Sequence, residues 1–262
     1  MRKTKKALAA VLAGLMVLSF AGCGSKEAKT ITKKADLEGA TIGVQLGTTG
    51  DLYVEDEVKD AKVQQYSKGA DAVQALKQGK VDAVIIDEQP AKAFVNQNDE
   101  LKILDEALTE EDYAVCIAKD KTELKEKIND ALKTLKSNGT LQAIIDNYIG
   151  DDTKGENPYK AADIERPNGT LVMATNAAFE PYEYYEDKKI VGIDVDMMQA
   201  VCDILGMELK VEDMEFDAII NAVQSGKADV GAAGMTVNEE RLLSIDFTDT
   251  YTTSTQVIIV KK

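Results

Sequence analysis

The stretch VMATNAAFEPYEYYED, residues 172–187, decides the fold. Val172 to Thr175 reads as an apolar strand, Asn176 to Ala178 as a short loop, and Phe179-Glu180-Pro181 as an aromatic–proline pair before a polar turn. That is how an α/β domain opens, yet the stretch stands deep in the chain. What flanks it settles whether it starts a second domain or belongs to one already begun.

Upstream the chain alternates strand-like and helix-like segments. ATIGVQLG (40–47) is a strand ending in glycine, and ADAVQALKQGK (70–80) has helical spacing with Gly79 as its stop. VDAVIID (81–87) is a buried strand, PAKAFVNQ a helix, and LKILDE and YAVCIAK are strands. In TELKEKINDALKTLK, Leu124, Ile128, Leu132 and Leu135 share one face of an amphipathic helix; Asn138-Gly139-Thr140 ends it and starts another. Residues 150–169 are polar, contain Gly and Pro, lack periodicity and read as a linker. Beyond them the alternation resumes to the C-terminus, which argues for an α/β fold throughout.

The two halves repeat weakly. ALKQGKVDA (75–83) aligns with AVQSGKADV (222–230), which sets Asp87 against Gly234 at corresponding strand ends. GATIGVQLGTT aligns with GTLVMATNAAF, pairing two strand-to-loop junctions. Ligands of open α/β sheets bind outside the carboxyl ends of strands, so two such lobes facing each other would enclose a cleft.

Arg2, Lys3, Lys5 and Lys6 precede an apolar run, Ala7 to Phe20, that is short for a membrane span and fits a signal peptide over residues 1–22. Phe20-Ala21-Gly22-Cys23 resembles a lipobox, so Cys23 is the expected lipidation site and the protein is expected to be anchored to the bacterial cell membrane from outside. Loss of residues 1–22 removes four of the 31 basic residues and none of the 46 acidic ones, which deepens a net charge of −15 and excludes nucleic-acid binding. There is no histidine, hence no His-based triad or His-ligated metal; no metal or cofactor is expected. Cys116 and Cys202 sit in apolar contexts and read as buried free thiols.

FEPYEYYEDKKIVGIDVDMMQAVCDILGMELKVEDMEFDAIINAVQSGKADVGAAGMTVNEERLLSIDFTDTY resembles the first lobe of a family 3 (polar amino acid) solute-binding protein, with GMTxxxER and IDFTDTY its specific marks. ADLEGATIGVQLGTTGDL, GKVDAVIIDEQPA and LKTLKSNGTLQAIIDNY resemble that family's second lobe and terminal helices. The order is rotated, so the sequence resembles a circular permutant of a two-lobed type II periplasmic binding fold. The expected organisation is a tether at 23–34, lobe two at 35–112, a crossover at 113–118, terminal-type helices at 119–150, a linker at 151–168 and lobe one at 169–262. Only one covalent crossing is expected to survive, with the C-terminal strand pairing near 113–118.

A free amino acid offers a carboxylate and an ammonium. Arg241 supplies a planar fork for the first, Thr236 a hydroxyl, and Thr48-Thr49-Gly50 backbone donors at a helix start. Asp87, ending a buried strand, can take the ammonium. The resemblance implies these roles, a backbone carbonyl contact from Gly234, and aromatic walls from Phe179 and Phe216. Each residue also has a plainer reading: Arg241 a surface ion pair, Asp87 and Thr48 helix caps, the phenylalanines core. Asn176, Gln45, Ile86 and Met235 are expected to meet the ligand side chain. Since Asn176 is uncharged, a neutral polar ligand is expected.

The implied activity is capture by lobe closure and delivery to an ABC permease, by a monomer and with no chemistry on the ligand. Two alternatives compete. One is a dehydratase of the cyclohexadienyl type, for which Glu180 and Glu183 would be the candidate acids; the other is a sensor acting through a partner.

Overall fold

A computed structural model describes residues 29–150 and 152–262. The expected signal peptide, the lipidation at Cys23 and the tether up to residue 28 lie outside the described residues.

The first part of the chain forms β1 (Thr41–Gln45), α1 (Thr49–Glu57), β2 (Lys62–Tyr66), α2 (Gly69–Lys77), β3 (Ala83–Asp87), α3 (Glu88–Asn96) and β4 (Leu101–Ile103). Two short strands follow, β5 (Glu111–Tyr113) and β6 (Cys116–Ile117), then α4 (Thr122–Ser137) and α5 (Thr140–Ile149). Next come β7 (Thr170–Thr175), β8 (Ala178–Phe179), β9 (Glu183–Glu186), β10 (Lys189–Val191), α6 (Ile193–Leu205) and β11 (Glu208–Asp213). The chain ends with α7 (Ile219–Gln224), β12 (Val230–Gly231), α8 (Glu239–Ser244), β13 (Asp246–Phe247), β14 (Thr252–Ser254) and β15 (Gln256–Lys261).

Every residue of β1 and β3 is buried, as expected of parallel strands covered on both faces. They belong to a five-stranded sheet ordered β2-β1-β3-β15-β4; a second sheet is ordered β11-β7-β12-β6-β13. The two sheets have one plan. The first three strands of each are parallel, in the order second, first, third, and the fourth place is taken by an antiparallel strand from the other half of the chain. In lobe two that visitor is β15; in lobe one it is β6.

This corrects the expected division. Residues 169–262 are not all in lobe one: β15 is a Val/Ile-rich strand buried between β3 and β4 of lobe two. The chain therefore crosses between sheets twice, at β5–β6 and at β13–β15, where one crossing was expected. The crossovers lie side by side because β14 pairs with β5, Thr252 opposite Tyr113 and Ser254 opposite Glu111. YAVCIAK is accordingly not one strand but breaks between β5 and β6.

The repeated Gly-Lys-x-Asp has a physical basis. Gly79 and Gly226 take φ of +71° and +73°, the left-handed region glycine tolerates, and close the C-termini of α2 and α7. The next residues donate back into the helices, Lys80 N–H to Ala75 and Lys227 N–H to Ala222, each at 2.9 Å. Asp82 then accepts from Thr41 N–H, and Asp229 from Val172 N–H, each at 2.8 Å, tying helix exit to first strand. The strand match expected from GATIGVQLGTT shifts by one residue: Ile42 stands opposite Ala83 as Met173 stands opposite Val230. Gln45 is thereby the counterpart of Asn176.

Ile128, Leu132 and Leu135 of α4 share a core with Met197, Val201 and Cys202 of α6, against which α4 packs. The segment expected as a linker is a strap pinned to α6. Tyr159 Oη donates to Asp203 at 2.7 Å, the Ala162 N–H at 2.6 Å, and Arg166 at 2.5 Å. Burial would lift Asp203, but these hydrogen bonds prevail and hold its carboxyl below the usual range. Cys116 and Cys202 are free and buried.

Candidate functional site

The carboxyl ends of β1, β3, β7 and β12 converge on a narrow cavity between the sheets. It is lined by Gln45, Thr48, Thr49 and Asp87 from lobe two, by Glu111 from the crossover, and by Asn176, Phe179, Glu183, Phe216, Ala233, Gly234, Thr236 and Arg241 from lobe one.

Arg241 is buried at 6% exposure. It sits in the first turn of α8, where Asn238 caps the helix by accepting the Arg241 N–H at 2.8 Å. One guanidinium nitrogen donates to Thr236 O at 2.7 Å and the other to Gly47 O of the opposite lobe at 2.9 Å. The group lies 5.4 Å from the Phe216 ring centroid. Burial lowers its proton affinity, and Glu111 and other nearby acids oppose that. A surface ion pair is excluded.

Asp87 ends β3 and precedes α3, but its side chain makes no capping hydrogen bond. Tyr113 Oη donates to its Oδ1, and Ser254 Oγ reaches the same oxygen at 3.4 Å. Burial, and then the charge of Glu111, push its pKa up to about 7, against the hydrogen bond from Tyr113. Thr48 does cap α1, accepting the Asp51 N–H at 3.4 Å, while Thr49 Oγ1 meets Thr236 Oγ1 across the cleft at 2.9 Å. Gln45 Nε2 donates to Asn176 Oδ1 at 2.9 Å, a further bond between the lobes. Asn176 in turn donates to Met214 O at 2.8 Å.

Gly234 has φ +52°, and a Cβ there would stand 2.7 Å from Phe179, so the ring can lie on the loop only because the side chain is absent. Its N–H donates to Asp194 Oδ2 at 2.9 Å, which also accepts from Tyr251 Oη at 2.8 Å. Phe179 stacks on Tyr182 at 5.6 Å between centroids, inclined by 27°.

Two expected residues stand elsewhere. Met235 is fully buried in the core beneath β12, and Ile86 packs against Gly69 and the helices of lobe two. Ile86 alternates with cavity-facing Asp87 on β3, so the strand pleat turns it away; Met235 lies past the end of β12, after Gly234, and packs inward.

Three lining residues were not foreseen as ligand-facing: Ala233, Glu111 and Glu183. Glu111 accepts from Thr236 Oγ1 and from Thr109 Oγ1, the latter at 3.0 Å. Glu183, considered above as a candidate catalytic acid, is fully buried, and neither oxygen has a hydrogen-bond partner among the described residues. Burial first, then the neighbouring Asp194 carboxylate, raise its pKa far above the usual range. Asp194 is itself lifted by burial to about 6, with the Gly234 and Tyr251 bonds opposing. Glu180 lies outside the cavity, 3.7 Å from Lys154. Among the described residues no His/Cys/Asp/Glu group could hold a metal, and no helix is long and apolar enough to cross a membrane.

The arrangement offers a buried cationic fork from one lobe and a buried carboxylate from the other, with aromatic faces between them. It suits a small zwitterion. The family model for bacterial extracellular solute-binding proteins, family 3, matches residues 53–151 and 171–262. The arginine-binding extracellular protein ArtP of Bacillus subtilis (strain 168) is 40% identical over 92 residues, 35% of this chain and 36% of that protein. The L-cystine-binding protein TcyJ of Escherichia coli (strain K12) is 32% identical over 124 residues, 47% of each. The chain thus spans half or less of the length of these relatives. A solved ancestral arginine-binding protein bound to arginine is 44% identical over 30% of this chain and 35% of its own, with a TM-score of 0.29.

Proposed function

Since the chain belongs to the family 3 bacterial extracellular solute-binding proteins, we propose that it captures a free amino acid and delivers it to an ABC permease. The observation that carries this reading is the convergence of buried Arg241 and buried Asp87, from different lobes, on one cavity. Arg241, with Thr236 and the start of α1 at Thr48 and Thr49, takes the carboxylate. Asp87 takes the ammonium, Phe179 and Phe216 wall the apolar part, and Gln45 and Asn176 face the side chain. Only a closed arrangement presents both sets of contacts, so binding draws the lobes together about the paired crossovers.

The neutral polar ligand expected from the sequence rested on Asn176. Glu111 adds an acidic acceptor to the same cavity, so a cationic side chain has a partner there as well. We therefore widen the proposal to polar amino acids with cationic ones included; two relatives named above are an arginine-binding and an L-cystine-binding protein.

A rotated chain order is supported by the two lobes' common plan and by the relatives matching over half or less of their length. Removal of residues 1–22 and lipid attachment at Cys23 complete the proposal, as does a monomeric state. A thermal-shift screen against all common L-amino acids tests it, because a ligand of the native state raises its stability. Arginine and glutamine are the first pair to compare. Stabilisation by one or a few amino acids is expected; none by any of them sinks the reading.

A further inference from the structure

Tyr113 ends β5 on the first crossover and is fully buried. Its backbone is held by lobe one and by the second crossover: it bridges Thr236, and its carbonyl accepts the Tyr251 N–H at 2.8 Å. Its hydroxyl reaches the other way, to Oδ1 of Asp87 in lobe two. The ring cannot turn freely. It meets Tyr182 edge-on, centroids 5.2 Å apart and planes at 70°, and its Cε2 lies 3.2 Å from where a Cβ on Gly234 would stand. A phenol so confined fixes the plane of the carboxylate it donates to.

We propose that Tyr113 is a positioning residue for ligand capture, its hydroxyl keeping Asp87 ionised and oriented to receive the ligand's ammonium. This rests on the reading of Asp87 as ammonium acceptor. A donor to the ionised form lowers a carboxyl's proton affinity, so Tyr113 counters the burial and the Glu111 charge that lift Asp87. The groups facing Asp87 are Glu111 and Tyr113 from β5, Tyr182 and Glu183 beside and on β9, Arg241 from α8, and Ser254 and Gln256 from β14 and β15. Removing the hydroxyl leaves all the others in place. Asp87 then takes up its proton at higher pH, and the ligand must compete with that proton.

The test is calorimetric titration of the full chain with L-arginine and with L-glutamine, from about pH 5.5 to about pH 8.5, spanning the Asp87 titration. Tyr113→Phe is expected to weaken binding about tenfold near pH 6 and only about 1.3-fold near pH 8.5, from a shift of roughly one unit. Ser254→Ala should move the profile the same way by less. Asp87→Asn should weaken binding at every pH and flatten the profile. If the Tyr113→Phe profile runs parallel to that of the unaltered protein, the hydroxyl is only structural and the proposal fails, while the Asp87 reading stands. If Asp87→Asn leaves affinity unchanged, that reading fails and takes the proposal with it. Should Tyr113→Phe not fold, an unmoved midpoint in Ser254→Ala overturns the proposal.

Discussion

In lobe two the third strand of the sheet runs out to Asp87, a buried carboxylate; in lobe one the corresponding strand runs on to Gly234, which has no side chain. Both strands are entered from a helix closed by the same Gly-Lys-x-Asp turn, with the aspartate tied to the lobe's first strand. The frame is duplicated and the chemistry is not. One lobe places an anion at the strand end. The other empties that position, lays Phe179 over it and brings its cation from Arg241 on the helix beyond. A zwitterion needs opposite charges on opposite walls, and a repeated frame supplies them only where its two copies have diverged.

The largest effect should come from the cationic wall. Arg241→Ala removes the fork for the carboxylate and leaves the carbonyls of Gly47 and Thr236 without their donor. Amino-acid-induced thermal stabilisation should vanish, with affinity falling at least about a hundredfold, the scale of a lost charge-assisted contact. Retained stabilisation would dissolve the contrast between the walls.

Gly234→Ala should come next. A methyl at 2.7 Å from Phe179, on a backbone at φ +52°, forces ring or loop to shift. Denaturant unfolding should report a loss of about 1–3 kcal/mol, the usual cost of strain at such a site. An Ala substitution at Gly226, where nothing stands within 4 Å of the added methyl, should cost less.

A third effect lies in the pH dependence of the unliganded protein. Asp87 is raised in the fold to about 7, so between its unfolded value of about 3.9 and 7 the native state binds more protons than the unfolded one. Its contribution is therefore fully present below the unfolded pKa and is lost as pH rises through about 7. Asp87→Asn should flatten that part of a stability-versus-pH curve. Ligand affinity runs the other way, since it needs the ionised form. A stability curve that rises with pH across this window in the unaltered protein, and keeps its slope in Asp87→Asn, would remove Asp87 from the argument.

Much of this was legible in the sequence because its signals are local. Helix caps at Gly79 and Gly226, buried strands and the repeated halves all show in short spans. Arg241, Thr236 and Asp87 could be set near one another because strand ends of an α/β sheet share a rim. Ile86 failed on parity: it adjoins Asp87, which faces the cavity, and side chains one apart on a strand face opposite ways. Applying the period of two to Asp87 would have set Ile86 aside; Met235 follows a loop glycine, where no such period holds. Glu111 had no such signal, because only the pairing of β5 with β14, far apart in sequence, carries it to the cleft. Glu183 was hidden in an acidic run whose composition reads as solvated surface. The destination of β15 was missed for the same reason as Glu111: a sheet partner is a long-range fact.

The exchange of strands also bears on how the polypeptide could be divided. The strap at 152–168 is the natural place to cut, since it carries no strand or helix and is held by contacts to Asp203. A gene split there would yield two fragments, one holding β6 for a sheet it does not contain and the other holding β15 in the same position. Neither could complete its own sheet. The two halves would be obligate complements, each lending the other the strand its sheet lacks.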